Sequence, residues 1–262
     1  MNYNKILKST KVELNNLRLD ILNSDKFITS KEEEEIVKSI EEKGYCVLES
    51  FYPKEWCEKA KNEIDRLILA YNKQIWKDEA ESDHRIFGAD RVSPFIKNYY
   101  EDSKLLSLLQ TYEGREVKDG FTLGAKLEAA EGNKGSGGGW HRDHPNVKQS
   151  KSIVYLTDVS LENGPFQYIE ASHTSKILYR DSFNYKYDQF QNRFTEEEIQ
   201  RLLDKEPERL KTFTASAGTV ILTDTRGIHR GKPIEDGFRY ALTNYLWMHS
   251  NIPSHIAKTL VG

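Results

Sequence analysis

The second half of the chain consists of short apolar segments separated by glycine, proline and asparagine. Segments of this kind, bounded by turn residues, are typical of antiparallel strands. Each such strand must bury one face against other elements, so this pattern constrains the fold more than any other feature of the sequence. The predicted strands cover 122–130, 152–158, 166–170, 219–223 and 240–248.

The first half shows helical spacing instead. Ser30 followed by Glu33 forms a capping-box pattern before an apolar stripe, which predicts the start of a helix. The predicted helices cover 1–26, 30–44, 53–74 and 102–112, with a strand at 45–48 and irregular chain over 75–100. Helices followed by a run of strands indicate the α+β class.

Charge and composition exclude several kinds of partner. The 262 residues include 38 Lys and Arg and 41 Asp and Glu, so a net charge of −3 provides no positive field for nucleic acid or anionic membrane. The sequence lacks a long apolar span and a signal-peptide pattern. Its two cysteines, Cys46 and Cys57, fit free thiols in a reducing compartment. We therefore expect a soluble cytoplasmic protein that binds neither nucleic acid nor membrane, with its oligomeric state left open.

The tripeptide His141-Arg142-Asp143 is the first indication of chemistry. In extended chain, side chains at i and i+2 share a face, so His141 and Asp143 converge while Arg142 points away. An imidazole and a carboxylate are two of the three ligands in the 2-His-1-carboxylate triad of non-haem iron enzymes. His229, after the predicted strand 219–223, offers the third. Each residue alone is explained by an ordinary structural role, but their joint order favours a metal site.

Arg239 opens the apolar strand that follows His229. A positive charge at the start of a buried strand needs an anion to offset its desolvation. The triad leaves coordination positions open for a 2-oxo acid and dioxygen, and the far carboxylate of 2-oxoglutarate matches a guanidinium fork. Thr243 shares a strand face with Arg239 and can donate a hydrogen bond to the same carboxylate. The alternative is that Arg239 forms a solvated salt bridge.

Several segments stand in a fixed order along the chain: GYCVL, GGWHRDH, ENGPFQYIEASH and GTVILTDTRGIHRGKPIEDGFRY. In this order they resemble the phytanoyl-CoA dioxygenase family of Fe(II)/2-oxoglutarate-dependent oxygenases, over about residues 34–248. The resemblance implies a double-stranded β-helix, a cupin-like jelly roll with N-terminal and flanking helices. It further implies that His141, Asp143 and His229 bind Fe(II), that Arg239 binds 2-oxoglutarate, and that O2 is the other co-substrate.

We expect a single domain over 1–262, with a mainly helical flank at 1–112 and a jelly-roll core at 113–250. An aromatic insertion at 176–213 is expected either to cover the substrate as a lid or to form ordinary core. Lys126, on the polar side of a predicted strand, is a further candidate contact for 2-oxoglutarate, with a charge at the cavity rim as the alternative.

Together these features predict an enzyme that hydroxylates an unactivated C–H bond of a small metabolite and converts 2-oxoglutarate to succinate and CO2. Two alternatives stay open. One is a catalytically idle jelly roll that only binds a small molecule. The other is a halogenase, which would need the carboxylate ligand replaced by chloride, whereas Asp143 is present. Arginines near the expected mouth indicate an anionic substrate, unless they are simply solvated: Arg142, Arg180, Arg193, Arg226 and Arg230.

Overall fold

The structure, a computed structural model, describes residues 30–248 and 250–262. The predicted helix over 1–26 lies outside the described residues. In the described part, helices dominate the first half and strands the second, which confirms the α+β class. None of the helices in these ranges is both long and apolar enough to cross a membrane.

Helix α1 (Lys31–Lys43) begins and ends at the residues that its capping pattern predicts. The Ser30 hydroxyl accepts a hydrogen bond from the N–H of Glu33, and the chain leaves the helix at Gly44 with φ of 92°. Glycine adopts this left-handed conformation at little cost. The other helices are α2 (Lys54–Ala70), α3 (Ala89–Val92), α4 (Pro94–Tyr100), α5 (Ser103–Glu113), α6 (Ser175–Tyr185), α7 (Glu196–Leu203) and α8 (Ser254–Ala257).

Residues 75–100, expected to be irregular, contain regular structure. Ser93 caps α4 by accepting a hydrogen bond from the N–H of Ile96, and Pro94 fits its first turn. These elements are too short for apolar periodicity to reveal them. The strands within the described ranges are β1 (Tyr45–Leu48), β2 (Trp76–Lys77), β3 (Asp83–Phe87), β4 (Asp119–Glu128), β5 (Ser150–Tyr155), β6 (Phe166–Ile169), β7 (Leu210–Phe213), β8 (Val220–Asp224), β9 (His229–Gly231) and β10 (Phe238–Trp247).

Among the described residues the strands form two antiparallel sheets. The larger has the order β1-β8-β5-β10-β4-β3-β2, and the smaller has the order β7-β6-β9. Tyr155 connects them, because its hydroxyl donates to the carbonyl of Phe213 and accepts from the N–H of Phe166. Strands β7 and β9 were not predicted, since each is only a few residues long and lies beside irregular chain.

The two faces of the larger sheet have different roles. On β10, Tyr240, Leu242 and Leu246 face the helices and are buried in the main hydrophobic core with residues of α1, α2, α4 and α5. Arg239 and Thr243 alternate with them and face a cavity instead. Each fully buried Leu contributes roughly 1.5–3 kcal/mol, so the helical side fixes which face of the sheet is left for the site.

The segment expected to be an insertion forms α6, α7 and, at its end, β7 of the smaller sheet. Thr195 and Glu198 form the capping box of α7 that the sequence predicts. Tyr185, Tyr187 and Phe194 pack in a separate hydrophobic cluster with Trp140. These rings therefore behave as core in this structure, while Phe183 is 86% exposed.

Candidate metal and co-substrate site

The backbone holds His141 and His229 side by side. The N–H of His141 donates to the carbonyl of His229 at 2.9 Å, and the N–H of His229 donates back to His141 at 2.8 Å. The N–H of Asp143 donates to the carbonyl of Thr225 at 2.9 Å. The segment that carries His141 and Asp143 therefore lies beside residues 225–229, at the start of β9. A ladder contact between distant segments thus brings the three predicted ligands together.

Both imidazoles have the same orientation. Nδ1 of His141 lies 2.9 Å from the carbonyl oxygen of Gly139, and Nδ1 of His229 lies 2.8 Å from that of Gly227. A carbonyl only accepts, so each Nδ1 carries the proton and each Nε2 is left with a lone pair. Ligand atoms of the two histidines and Asp143 all lie within 4.8 Å of one another. This donor set fits a metal ion, because ligand histidines commonly donate their second N–H in this way.

The glycine-rich loop allows its backbone to approach the first imidazole closely. A Cβ on Gly137 would lie 2.2 Å from Cε1 of His141, and the φ of Gly137 is 88°. Only glycine fits both conditions. Sequence alone predicts only a loop for this glycine-rich segment. Its many glycines directly before a candidate ligand were the sign that it packs against the ligand.

Lys151 is a member of the site that sequence analysis did not identify. Its ammonium lies 2.5 Å from Oδ2 of Asp143 in an ion pair and 3.9 Å from the centre of the Tyr245 ring. The Lys151 side chain is 5% exposed. It lies on the same face of β5 as Ile153 and Tyr155, which also line the cavity. A lysine at an inward position of an apolar strand was the signal in the sequence.

The buried charges shift the protonation of the triad. Burial alone would raise the pKa of the Asp143 carboxyl, but the Lys151 ammonium and the two imidazoles outweigh it, so the pKa lies well below its usual range. Burial, and after it the neighbouring His141, lowers the pKa of His229 to about 3. Burial also lowers the pKa of His141. Neutral imidazoles beside a carboxylate are the protonation state that binds metal.

Arg239 and the triad line one cavity of about 810 Å³. The Arg239 guanidinium is buried, and its Nε and Nη1 atoms have no hydrogen-bond partner. Unpaired donors on a buried guanidinium fit the carboxylate of a bound acid. Thr243 lines the same cavity, as its position on the face of Arg239 predicts.

Lys126 is not placed as predicted. It lies between Ala125 and Leu127, which line the cavity, and its own side chain therefore points to the other face of β4. There its ammonium pairs with Glu128 at 3.0 Å. Strand parity removes Lys126 from the co-substrate site.

The five arginines expected around the mouth are mostly engaged elsewhere. Only Arg193 of this set lines the cavity. Arg142 is buried with its guanidinium 5.0 Å from the centre of the Phe194 ring. The other three form ion pairs: Arg180 with Asp181 and Glu206, Arg226 with Asp224, and Arg230 with Glu196.

A second cavity of about 600 Å³ adjoins the first, and Asp143 and Tyr245 line both. Its walls are largely apolar, with the rings of Phe87, Phe121 and Trp247 on the sheet side. Asp143 of the triad therefore lies at the junction between a polar cavity and an apolar one.

Two histidines and a carboxylate inside a β-helix of two antiparallel sheets are the arrangement of non-haem iron oxygenases. Within this class, the chain belongs to the phytanoyl-CoA dioxygenase (PhyH) family, whose model matches residues 40–239. Members are Fe(II)- and 2-oxoglutarate-dependent oxygenases, so the predicted enzyme class and cofactors are confirmed. No curated protein matches the chain in sequence.

Solved structures share the fold at low sequence identity. SnoN from nogalamycin biosynthesis, in complex with Fe3+, alpha ketoglutarate and nogalamycin RO, has a TM-score of 0.63 at 17% identity over 87% of this chain and 89% of its own. EctD from S. alaskensis has a TM-score of 0.60 at 19% identity over 85% of this chain and 78% of its own. HygX from Streptomyces hygroscopicus, with nickel, 2-oxoglutarate and hygromycin B bound, has a TM-score of 0.54 at 16% identity over 83% of this chain and 87% of its own. The double-stranded β-helix is thereby confirmed.

Proposed function

We propose that His141, Asp143 and His229 bind the Fe(II), and that Arg239 with Thr243 binds the far carboxylate of 2-oxoglutarate. The observation that carries this proposal is the orientation of the imidazoles. Both Nδ1–H groups are used by backbone carbonyls, which leaves both Nε2 lone pairs for a metal shared with the carboxylate. The unpaired Nε and Nη1 donors of Arg239 in the same cavity support the second half of the proposal.

Bound Fe(II) and 2-oxoglutarate supply the oxygen-activating chemistry, which releases succinate and CO2. The protein itself contributes by positioning the bound molecules. Arg239 fixes the far end of 2-oxoglutarate, and the apolar inward residues Ile153 and Ala241 keep water from its length. In such a low-dielectric site, the ion pair with Arg239 is stronger than it would be in water.

The substrate is proposed to be a small molecule that is hydroxylated at an unactivated C–H bond. Two of the similar structures contain small molecules, nogalamycin RO and hygromycin B, which supports this class. Among the five arginines, Arg193 alone is available in the cavity to attract an anionic group. A cytoplasmic location is part of the proposal, supported by the two free cysteines.

The alternatives fit the site less well. An idle binding protein would have no need of two imidazoles oriented toward a carboxylate, nor of a buried arginine whose Nε and Nη1 groups lack hydrogen-bond partners, which costs stability. A halogenase needs a vacant ligand position for chloride, and Asp143 occupies that position in this chain. Detection of a chlorinated product from the wild-type protein in chloride buffer would overturn this choice.

The test of the metal assignment is anaerobic titration with Fe(II). The wild type should bind one ion per chain, and His229→Ala should lose most of this affinity because it lacks one of three ligands. His255→Ala is the matched control, since His255 is exposed and outside the triad. Unchanged iron stoichiometry and affinity in His229→Ala would remove the assignment.

A further inference from the structure

The second cavity begins at Asp143, one member of the triad, and continues along stacked aromatic rings. The Phe121 and Tyr245 rings lie 5.1 Å apart at 6° to each other, and the Phe121 and Trp247 rings lie 5.7 Å apart at 30°. Tyr245 also touches the ammonium of Lys151, which pairs with Asp143. A continuous wall of rings therefore leads directly away from the candidate metal ligands.

The ring wall and the co-substrate anchor lie at opposite ends of strand β10. Its inward face carries Arg239 opposite Leu127 at one end and Trp247 opposite Asp119 at the other. Eight residues of strand separate these ends, roughly 26 Å at the usual rise. Lys151, the ion-pair partner of Asp143, pairs with Tyr245 between these ends, so an acid bound at Arg239 leaves the ring wall free for a different molecule.

We propose that the second cavity binds the substrate, and that the substrate is a planar, largely apolar molecule with a polar group at one edge. This inference rests on the proposed function. Stacked and edge-on contacts with rings favour a flat partner. The polar edge would face the other side of the cavity, where Gln149, Ser250 and Thr259 supply hydrogen-bonding groups.

The lining argues against other substrate classes. A sugar needs many polar partners for its hydroxyls, and the sheet side of the cavity offers rings instead. A polycationic substrate needs carboxylates, but among the described residues that line the cavity Asp143 is the sole acidic one, and it is a proposed metal ligand. An apolar planar molecule needs neither many polar partners nor carboxylates, so this lining suits it.

The test uses 1-anilinonaphthalene-8-sulfonate, an apolar probe with a planar naphthalene ring and one sulfonate, titrated into protein loaded with Fe(II) and 2-oxoglutarate without oxygen. We expect one probe per chain and no displacement by further 2-oxoglutarate. Val147 lines the cavity and is 36% exposed, so Val147→Trp should fill the space without disturbing the core. It should weaken probe binding on the order of tenfold or more, the equivalent of about 1.4 kcal/mol or more.

Leu161→Trp is the matched control, because Leu161 is a 59% exposed apolar residue that does not line the cavity. It should bind the probe like the wild type. Val147→Asp is a second variant that should also weaken binding, by placing a carboxylate beside the rings. No probe binding, displacement by 2-oxoglutarate, or equal binding in both Val147 variants and the wild type would overturn the inference. Failure of the wild type to bind Fe(II) would instead contradict the proposed function.

Discussion

At the scale of single residues, Arg239 gives the sharpest expectation. Loss of one partner of a buried charge pair costs about 3–5 kcal/mol, so Arg239→Ala should raise the apparent 2-oxoglutarate constant by about a hundredfold or more. Arg239→Lys should recover only part of this, because an ammonium cannot form the fork. Thr243→Val should cost less, about 0.5–3 kcal/mol. The measurement is succinate release titrated with 2-oxoglutarate.

The control for these variants is Lys126→Ala, which removes a positive charge from the other face of the sheet. Iron binding should be nearly unchanged in every variant of this set, since none of these residues is a proposed ligand. Arg239→Ala that titrates like the wild type would mean that 2-oxoglutarate is held elsewhere.

Lys151 gives a second expectation at this scale. In the metal-free protein, Lys151→Met leaves the half-buried Asp143 carboxylate without its ion-pair partner, which should destabilise the fold by about 1–3 kcal/mol. Saturating metal should recover much of this loss, because the bound ion offsets the carboxylate charge. Urea unfolding with and without Ni(II) measures the difference. Lys126→Met should lose at most about 1 kcal/mol in both states, and an equal loss for Lys151→Met in both states would contradict the prediction.

The histidines make the metal-free protein sensitive to acid. Because burial lowers the pKa of His229 to about 3 from 6.5, the unfolded chain binds a proton between these pH values and the folded chain does not. Stability therefore falls as pH falls below about 6.5. From pH 6.5 to 5, His229 alone should cost about 2 kcal/mol. His229→Gln should show a shallower loss in urea unfolding at these two pH values; an identical slope would contradict the buried neutral imidazole.

At the scale of elements, the glycine-rich loop positions the first ligand. Gly137→Ala places a methyl group against the His141 ring and should weaken Fe(II) binding by about tenfold, as other disturbances of ligand orientation do. Gly132→Ala is a matched control, because Gly132 has φ of 78° but no atom within 4 Å of its Cβ position. Both variants place a Cβ in the left-handed region, at a cost of about 1–2 kcal/mol each. Equal Fe(II) affinities of the two variants in anaerobic titration would show that the loop does not position the His141 ring.

The role of segment 176–213 as a lid stays a prediction. Its packed rings Tyr185, Tyr187 and Phe194 favour the alternative that this part is core. We therefore expect slow amide exchange at these residues both with and without Fe(II) and 2-oxoglutarate. Fast exchange that slows only when substrate binds would instead support the lid.

At the scale of the whole molecule, several elements could be predicted because their signals are local. Ser30 and Glu33 marked the start of α1, and the apolar run around 240–248 marked β10. The elements that escaped prediction are short or are held by distant partners. β9 has three residues and exists because β6 pairs with it, which no local pattern expresses. The boundary between a helical flank at 1–112 and a core at 113–250 stays a prediction.

The sequence by itself determined the candidate ligands, the residue proposed to bind 2-oxoglutarate and the family, because residue type and order carry that information. Tertiary structure alone decided which face each strand turns inward. That choice excluded Lys126, brought Lys151 to Asp143, and opened an apolar cavity beside the triad. The physical reason is that alternation along a strand shows which residues share a face, but not which face points to the cavity. The helices that pack on one face determine which alternate residues remain for the cavity.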